Sequence, residues 1–175
     1  RATIERAAGL GVTDIDTVIM GQVLQAGAGQ NPARQAAAAA GVPLSVPAVT
    51  INKVCLSGLT AIIDGARLIR TGEASVVLAG GQESMTNAPH LLAGARQGLG
   101  YGDVTLVDAV ARDGLSDAFD GRAMGLATEA TNTGERFASR EEQDAIAAAS
   151  HQRAAAASAG GRFDAELASV TIPNR

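Results

Sequence analysis

Apolar positions along the chain fall into three short runs separated by two stretches of helical periodicity. Thr13 to Met20 passes from polar residues into Val18-Ile19-Met20, the pattern of a short buried strand. A glycine-rich loop follows from Gly21 to Gly29. Asn31-Pro32 then opens a helix, with Asn as cap and Pro at the first helical position, and Gly41 and Pro43 close it. Ala48 to Asn52 reads as a second strand. Beyond it, Leu59, Ile62, Ile63, Ala66 and Ile69 recur at three- and four-residue spacing, with Asp64, Arg67 and Arg70 on the other face. That spacing predicts an amphipathic helix over about 56–71, capped by Gly72. Ser75 to Ala79 is apolar enough for a strand covered on both faces, ended by Gly80-Gly81. Strand, helix, strand, helix, strand in alternation predicts an α/β layer with a parallel sheet and right-handed crossovers.

The texture changes after Gly81. Residues 82–138 are rich in glycine and irregular, with short helical pieces such as 104–112. A last helix begins at the capping box Ser139-x-x-Glu142 and stops at Gly160-Gly161. Two regions are expected, an α/β layer over 1–88 and a less regular region over 89–175. Residues 1–9 read as the last turns of a helix, and 170–175 as a strand without a visible partner. Both ends therefore read as internal to a longer protein.

Composition sharpens this picture. Alanine supplies 37 of the 175 residues, within an apolar fraction of 46 %. Alanine buries little area per residue, so such a core predicts low stability for the chain on its own. A net charge of −4 without basic runs argues against nucleic acid as a partner. No apolar run approaches the ~20 residues of a membrane span, and no signal peptide is visible. A single cysteine forms no internal disulfide and no cysteine-rich metal site, which suits a reducing cytoplasm.

That cysteine, Cys55, carries the candidate chemistry. It stands where a predicted strand ends and a predicted helix begins, with Ser57-Gly58 beside it. Strand-to-helix turns at the carboxyl edge of a parallel sheet are where ligands bind, and a helix N-terminus is an environment that favours an anionic nucleophile. The implied reaction is attack of sulfur on an acyl carbon to form a thioester. A lone cysteine is more often a small buried hydrophobe. Only His90 and His151 could serve as a base, and no spacing ties either to Cys55.

Asn52-Lys53-Val54-Cys55-Leu56-Ser57-Gly58 closely resembles the acyl-enzyme cysteine motif of thiolases. The segments Gly29-Gln30-Asn31-Pro32-Ala33-Arg34 and Ala79-Gly80-Gly81-Gln82-Glu83-Ser84-Met85 resemble that family's flanking segments. Asp113-Gly114-Leu115-Ser116-Asp117, Met124-Gly125 and Arg140-Glu141-Glu142-Gln143 resemble the start of its loop domain. The resemblance runs in order from about residue 13 to 175. It implies a thiolase-like layered α/β fold: an incomplete parallel-sheet N-terminal half followed by part of the loop domain. The Asn-Lys-Val-Cys wording looks most like the acetyl-CoA acetyltransferase branch.

The resemblance implies an acyl-Cys55 intermediate and condensation of two acetyl-CoA to acetoacetyl-CoA, or the reverse thiolysis. Leu115 and Met124 match positions that line the pantetheine and acyl site. At position 123 the chain has alanine where many members of that branch have histidine, so acyl-chain length stays open. Coenzyme A thioesters enter as substrates, and neither metal nor redox cofactor is implied. A homo-oligomer, dimer or tetramer, is implied, with 91–112 resembling the oligomer-contact region. The family's activating histidine and second cysteine match nothing in this chain, so the 175 residues by themselves are expected to be inactive. Three alternatives stay open: a degradative 3-ketoacyl-CoA thiolase of longer chain preference, a non-catalytic thiolase-like module, and a ketoacyl synthase relative, whose two active-site histidines and motif wording fit less well.

Overall fold

Strand β1 (Thr17–Gly21) lies at the centre of a three-stranded parallel sheet, with β2 (Ala48–Ile51) on one side and β3 (Val77–Gly81) on the other. The computed structural model describes residues 1–7 and 9–171. Helix α1 (Ala2–Arg6) precedes β1, α2 (Pro32–Ala39) joins β1 to β2, and α3 (Ser57–Thr71) joins β2 to β3. The strand order reverses at β1, so right-handed crossovers set α2 and α3 on opposite faces of the sheet.

The pleat sorts the side chains between those faces. Val18 pairs with Leu78, and both turn toward α2, into a cluster with Ile4, Ile15, Ala37, Val42 and Val46. Ile19 pairs with Ala79, and Thr17 with Val77, toward α3. Each helix approaches the sheet on small residues. On α2 these are Ala33 and Ala37, both buried one turn apart. On α3 they are Ser57, Ala61 and Gly65. A Cβ on Gly65 would stand 3.0 Å from Val77 Cγ1. Asn31 caps α2, accepting from the Arg34 N–H at 3.1 Å and from the Thr50 hydroxyl at 2.8 Å, and its amide donates to the Ala48 carbonyl at 3.0 Å. One side chain thus ties the start of the helix to the neighbouring strand.

The spacing left open what the apolar stripe of α3 faces, and it is not the sheet: Leu59 and Ile62 are 54 % and 53 % exposed, and Ile63 and Ile69 are also exposed. Close approach to β1 and β3 selects the small residues at 57, 61 and 65, which turns the larger ones outward. Strand β3 runs over Val77–Gly81 and not 75–79. The Asp16 carboxylate accepts the Ser75 and Val76 N–H groups at 2.6 and 2.9 Å, which withdraws them from the ladder. Gly80 and Gly81 then belong to the strand, opposite Met20 and Gly21. Of residues 104–112, expected to be a short helical piece, only 109–112 are helical. Val107–Asp108 (β5) pairs antiparallel with His90–Leu91 (β4), and a wide helical turn follows over Ala111–Leu115. Val170 and Thr171 lie outside any strand, and the remainder of that expected element falls beyond the described residues.

The chain divides into two compact units, Arg1–Met124 and Gly125–Arg175. Helix α4 (Met124–Thr131) starts at the division. In the second unit, Asn132 brackets a tight turn by pairing both ways with the Ala138 backbone, at 3.1 and 2.7 Å. Ser139 and Glu142 form the expected capping box of α5 (Arg140–Ala159). Among the described residues no helix is long and apolar enough to cross a membrane.

Candidate functional site

The turn between β2 and α3 is a strained elbow. Val54 adopts φ +50°, a left-handed conformation that a β-branched residue rarely takes. Three hydrogen bonds hold it there. The Asn52 side-chain oxygen accepts the Val54 N–H at 2.9 Å. The Ser57 hydroxyl accepts the Lys53 N–H at 2.8 Å and donates to the Val54 carbonyl at 2.6 Å. Ser57 is buried, so water cannot replace those bonds. Cys55 follows Val54 directly and is exposed. The elbow therefore holds the thiol out at the N-terminus of α3.

The elbow can sit so close to the sheet only because glycines line the contact. A Cβ on Gly21 would fall 2.4 Å from the Ser57 carbonyl carbon and 2.5 Å from the Gly58 nitrogen. Gly81, at the end of β3, would carry a Cβ 3.3 Å from the Gly58 Cα. The carboxyl ends of all three strands thus converge on the start of α3.

A cleft of about 330 Å³ opens at this convergence. Gly21, Gln22 and Val23 line it at and beyond the end of β1, Cys55 and Gly58 at the elbow, and Gln82 and Glu83 just beyond β3. It lies outside the carboxyl edge where the strand order reverses, the position at which open α/β sheets bind ligands. The wall that follows β1 is fixed by side chains beyond the ends of β2 and β3, with Asn52 donating to the Val23 carbonyl at 3.4 Å. Glu83 accepts the Val23 and Leu24 N–H groups at 2.9 and 3.0 Å. Gln82 donates to the Gln22 side chain at 3.0 Å, and Gln22 donates to the Leu24 carbonyl at 2.9 Å.

Leu115 and Met124 do not line this cleft. Ser116 and Ala123 pair as an antiparallel bridge that closes the loop between them, so Leu115 and Met124 flank its base. Both are 47 % exposed. His90 sits exposed in β4, in register with Asp108, and is not a lining residue. His151 is exposed midway along α5 in the second unit. No group of three His, Cys, Asp or Glu able to hold a metal occurs among the described residues.

Sequence reasoning singled out Cys55 but gave no role to Ser57, Asn52, Gly21 or Glu83. The Cys-x-Ser-Gly spacing was the available signal for Ser57, since a hydroxyl two residues on can reach back to the turn. Gly21 and Glu83 meet Cys55 only through strand order, which no local spacing encodes.

The fold is that of an α/β protein with an exposed thiol at the switch point of its parallel sheet. Comparison with known proteins supplies the family. Residues 1–175 match the family described as thiolase, N-terminal domain. The chain belongs to the thiolase family. It is 60 % identical over 159 residues to a probable acetyl-CoA acetyltransferase of Mycobacterium leprae, covering 91 % of this chain and 40 % of the relative. It is 54 % identical over 168 residues to an acetyl-CoA acetyltransferase of Pseudomonas aeruginosa, covering 95 % of this chain and 42 % of the relative. Its fold superposes with a TM-score of 0.90 on the Acat5 thiolase of Ascaris suum, solved in complex with coenzyme A, at 43 % identity over 97 % of this chain and 43 % of that one. The chain spans less than half the length of these relatives.

Proposed function

We propose that this chain is the acyl-accepting part of an acetyl-CoA acetyltransferase, with Cys55 as the nucleophile. The observation that carries the reading is Cys55 itself, held at a strained elbow on the floor of an open cleft, in a chain up to 60 % identical to proteins of that name. In the first half-reaction the Cys55 sulfur attacks the thioester carbonyl of acetyl-CoA. A new carbon–sulfur bond forms, the bond to coenzyme A breaks, and the leaving thiolate takes the proton given up by Cys55. The Cys55 N–H, just before α3, opposes the charge that develops on the carbonyl oxygen; the Leu56 and Ser57 N–H groups are taken by the Lys53 and Val54 carbonyls. In the second, a further acetyl-CoA loses an α-proton and its carbanion attacks the acyl-Cys55 carbonyl, releasing acetoacetyl-CoA and restoring the thiol.

The cleft lacks a free base. Its one carboxylate, Glu83, has accepted two backbone N–H groups. The proton acceptors are therefore assigned to residues beyond this chain, as the family resemblance implies. Leu115 and Met124, brought together at the base of the closed loop, are assigned to the pantetheine. The exposed Leu99, Tyr101, Val104 and Leu106 are assigned to contact with a second copy of the protein.

Mass spectrometry of the full protein after brief exposure to acetyl-CoA tests the central step. The expected product is a single acetyl group on Cys55, absent from the Cys55→Ala variant. An acetyl adduct retained by Cys55→Ala refutes the assignment.

A further inference from the structure

The elbow touches the wall opposite Cys55 through the Asn52 amide on the Val23 carbonyl, but it does not hold the N–H groups of Val23 and Leu24. Residues 22–25 leave the end of β1 as a loop, and a loop at a sheet edge moves unless its amides are held. Here they are held from β3. The Glu83 side chain lies along the cleft and accepts two consecutive backbone N–H groups, those of Val23 and Leu24, one on each carboxylate oxygen. An ionised acceptor makes such bonds about twice as strong as neutral ones. Leu24 is buried, and its Cδ2 stands 3.5 Å from where a Cβ on Gly114 would lie. The residue whose amide Glu83 grips therefore also packs on the turn Ala111–Leu115. The elbow meets this wall through one exposed bond, from the Asn52 amide to the Val23 carbonyl at 3.4 Å, while Val54 and Ser57 hold the thiol by bonds that Glu83 does not share.

We infer that Glu83 is a positioning residue: its carboxylate fixes Val23 and Leu24 as a preformed wall against which the acyl thioester seats opposite Cys55. This rests on the reading of Cys55 as the acyl acceptor. The carboxylate is thereby spent on the backbone and takes no part in proton transfer. Two consequences separate this role from general support of the fold. The reactivity of Cys55 toward a small reagent should not depend on Glu83. The seating of an acyl-CoA should.

The test compares Glu83→Ala and Glu83→Gln with the parent in the full protein. Glu83→Ala removes both acceptor oxygens and Glu83→Gln leaves one. In Glu83→Ala, amide exchange at Val23 and Leu24 is expected to rise about ten- to a hundredfold, the scale of losing charge-assisted bonds. KM for acetyl-CoA in the acylation step is expected to rise about tenfold, which corresponds to ~1.4 kcal/mol of lost seating, with a smaller change in kcat. The rate of Cys55 alkylation by iodoacetamide is expected to stay within about twofold of the parent, because the elbow bonds are intact. Glu83→Gln should show the same KM-against-alkylation split at smaller size, and it carries the test if Glu83→Ala does not fold. Unchanged KM, or alkylation and KM failing in parallel in both variants, overturns the role of Glu83. A parent protein that takes no acetyl group on Cys55 overturns the acyl-acceptor reading itself, and the amide exchange then still reports whether the Glu83 clamp exists.

Discussion

Gly21→Ala adds a single methyl group where the backbone at the start of α3 leaves no room for one. The new Cβ would stand 2.4 Å from the Ser57 carbonyl carbon, 2.5 Å from the Gly58 nitrogen and 2.7 Å from Ser57 Cβ, whereas ordinary contact begins near 3.4 Å. Two of those three atoms are backbone, so no rotamer change relieves the clash. The start of α3 must retreat by the difference, about 1 Å, and Cys55 moves with it. Overpacking of this kind costs about 1–3 kcal/mol of stability. A displacement of ~1 Å at the reacting atom costs on the order of a hundredfold in rate. Two assays on the full protein read these effects: the thermal midpoint, and the rate at which acetyl-CoA labels Cys55. Gly58→Ala is the control. Its Cβ meets nothing nearer than 3.6 Å, and alanine within a helix is about 1 kcal/mol better than glycine. That variant should hold or raise the midpoint. A Gly21→Ala protein with the parent's midpoint and labelling rate would refute the claim that glycine spacing sets the position of the thiol.

Further expectations follow from individual bonds. Ser57→Ala removes a buried hydroxyl that holds Lys53 and Val54, and should lower the unfolding free energy by about 1–3 kcal/mol and slow acylation at least tenfold; a calorimetric scan and the labelling rate check both. Asn31→Ala uncaps α2 and frees Thr50 and Ala48, so it should cost about 1–2 kcal/mol from the cap alone, read as a lower thermal midpoint. The N–H groups of Val76 and then Ser75 hold the Asp16 carboxyl below the usual carboxylate range. Its contribution to stability is therefore complete above the ordinary value near ~4 and is lost as pH falls through the lowered one. The gap in thermal midpoint between the parent and Asp16→Asn should be open at neutral pH and close in acid; a gap independent of pH contradicts the bond.

Much of the α/β layer could be read along the chain. Runs such as Val18-Ile19-Met20, the Asn31-Pro32 cap, Gly72 after α3 and the Ser139 capping box are decided by neighbours within four residues, so local chemistry specifies them. The motif around Cys55 carried the family and the proposed nucleophile for the same reason: the elbow is built from residues 52–57, and its bonds span at most four positions. What escaped the sequence is what depends on distant partners. Asp16 shifts the start of β3 by taking amides about sixty residues away. Residues 107–108 become a strand because His90 and Leu91 lie beside them.

The stripe of Leu59, Ile62 and Ile69 shows the limit most plainly. Periodicity identifies an apolar face but not its neighbour, and the sheet selected Ser57, Ala61 and Gly65 because only small residues allow α3 close enough. The cleft is the same kind of object. Cys55 was legible by itself, but its opposite wall is assembled from Gln22, Val23 and Glu83, which strand order alone brings together. Short-range bonds fixed the reactive atom, and long-range packing decided what faces it.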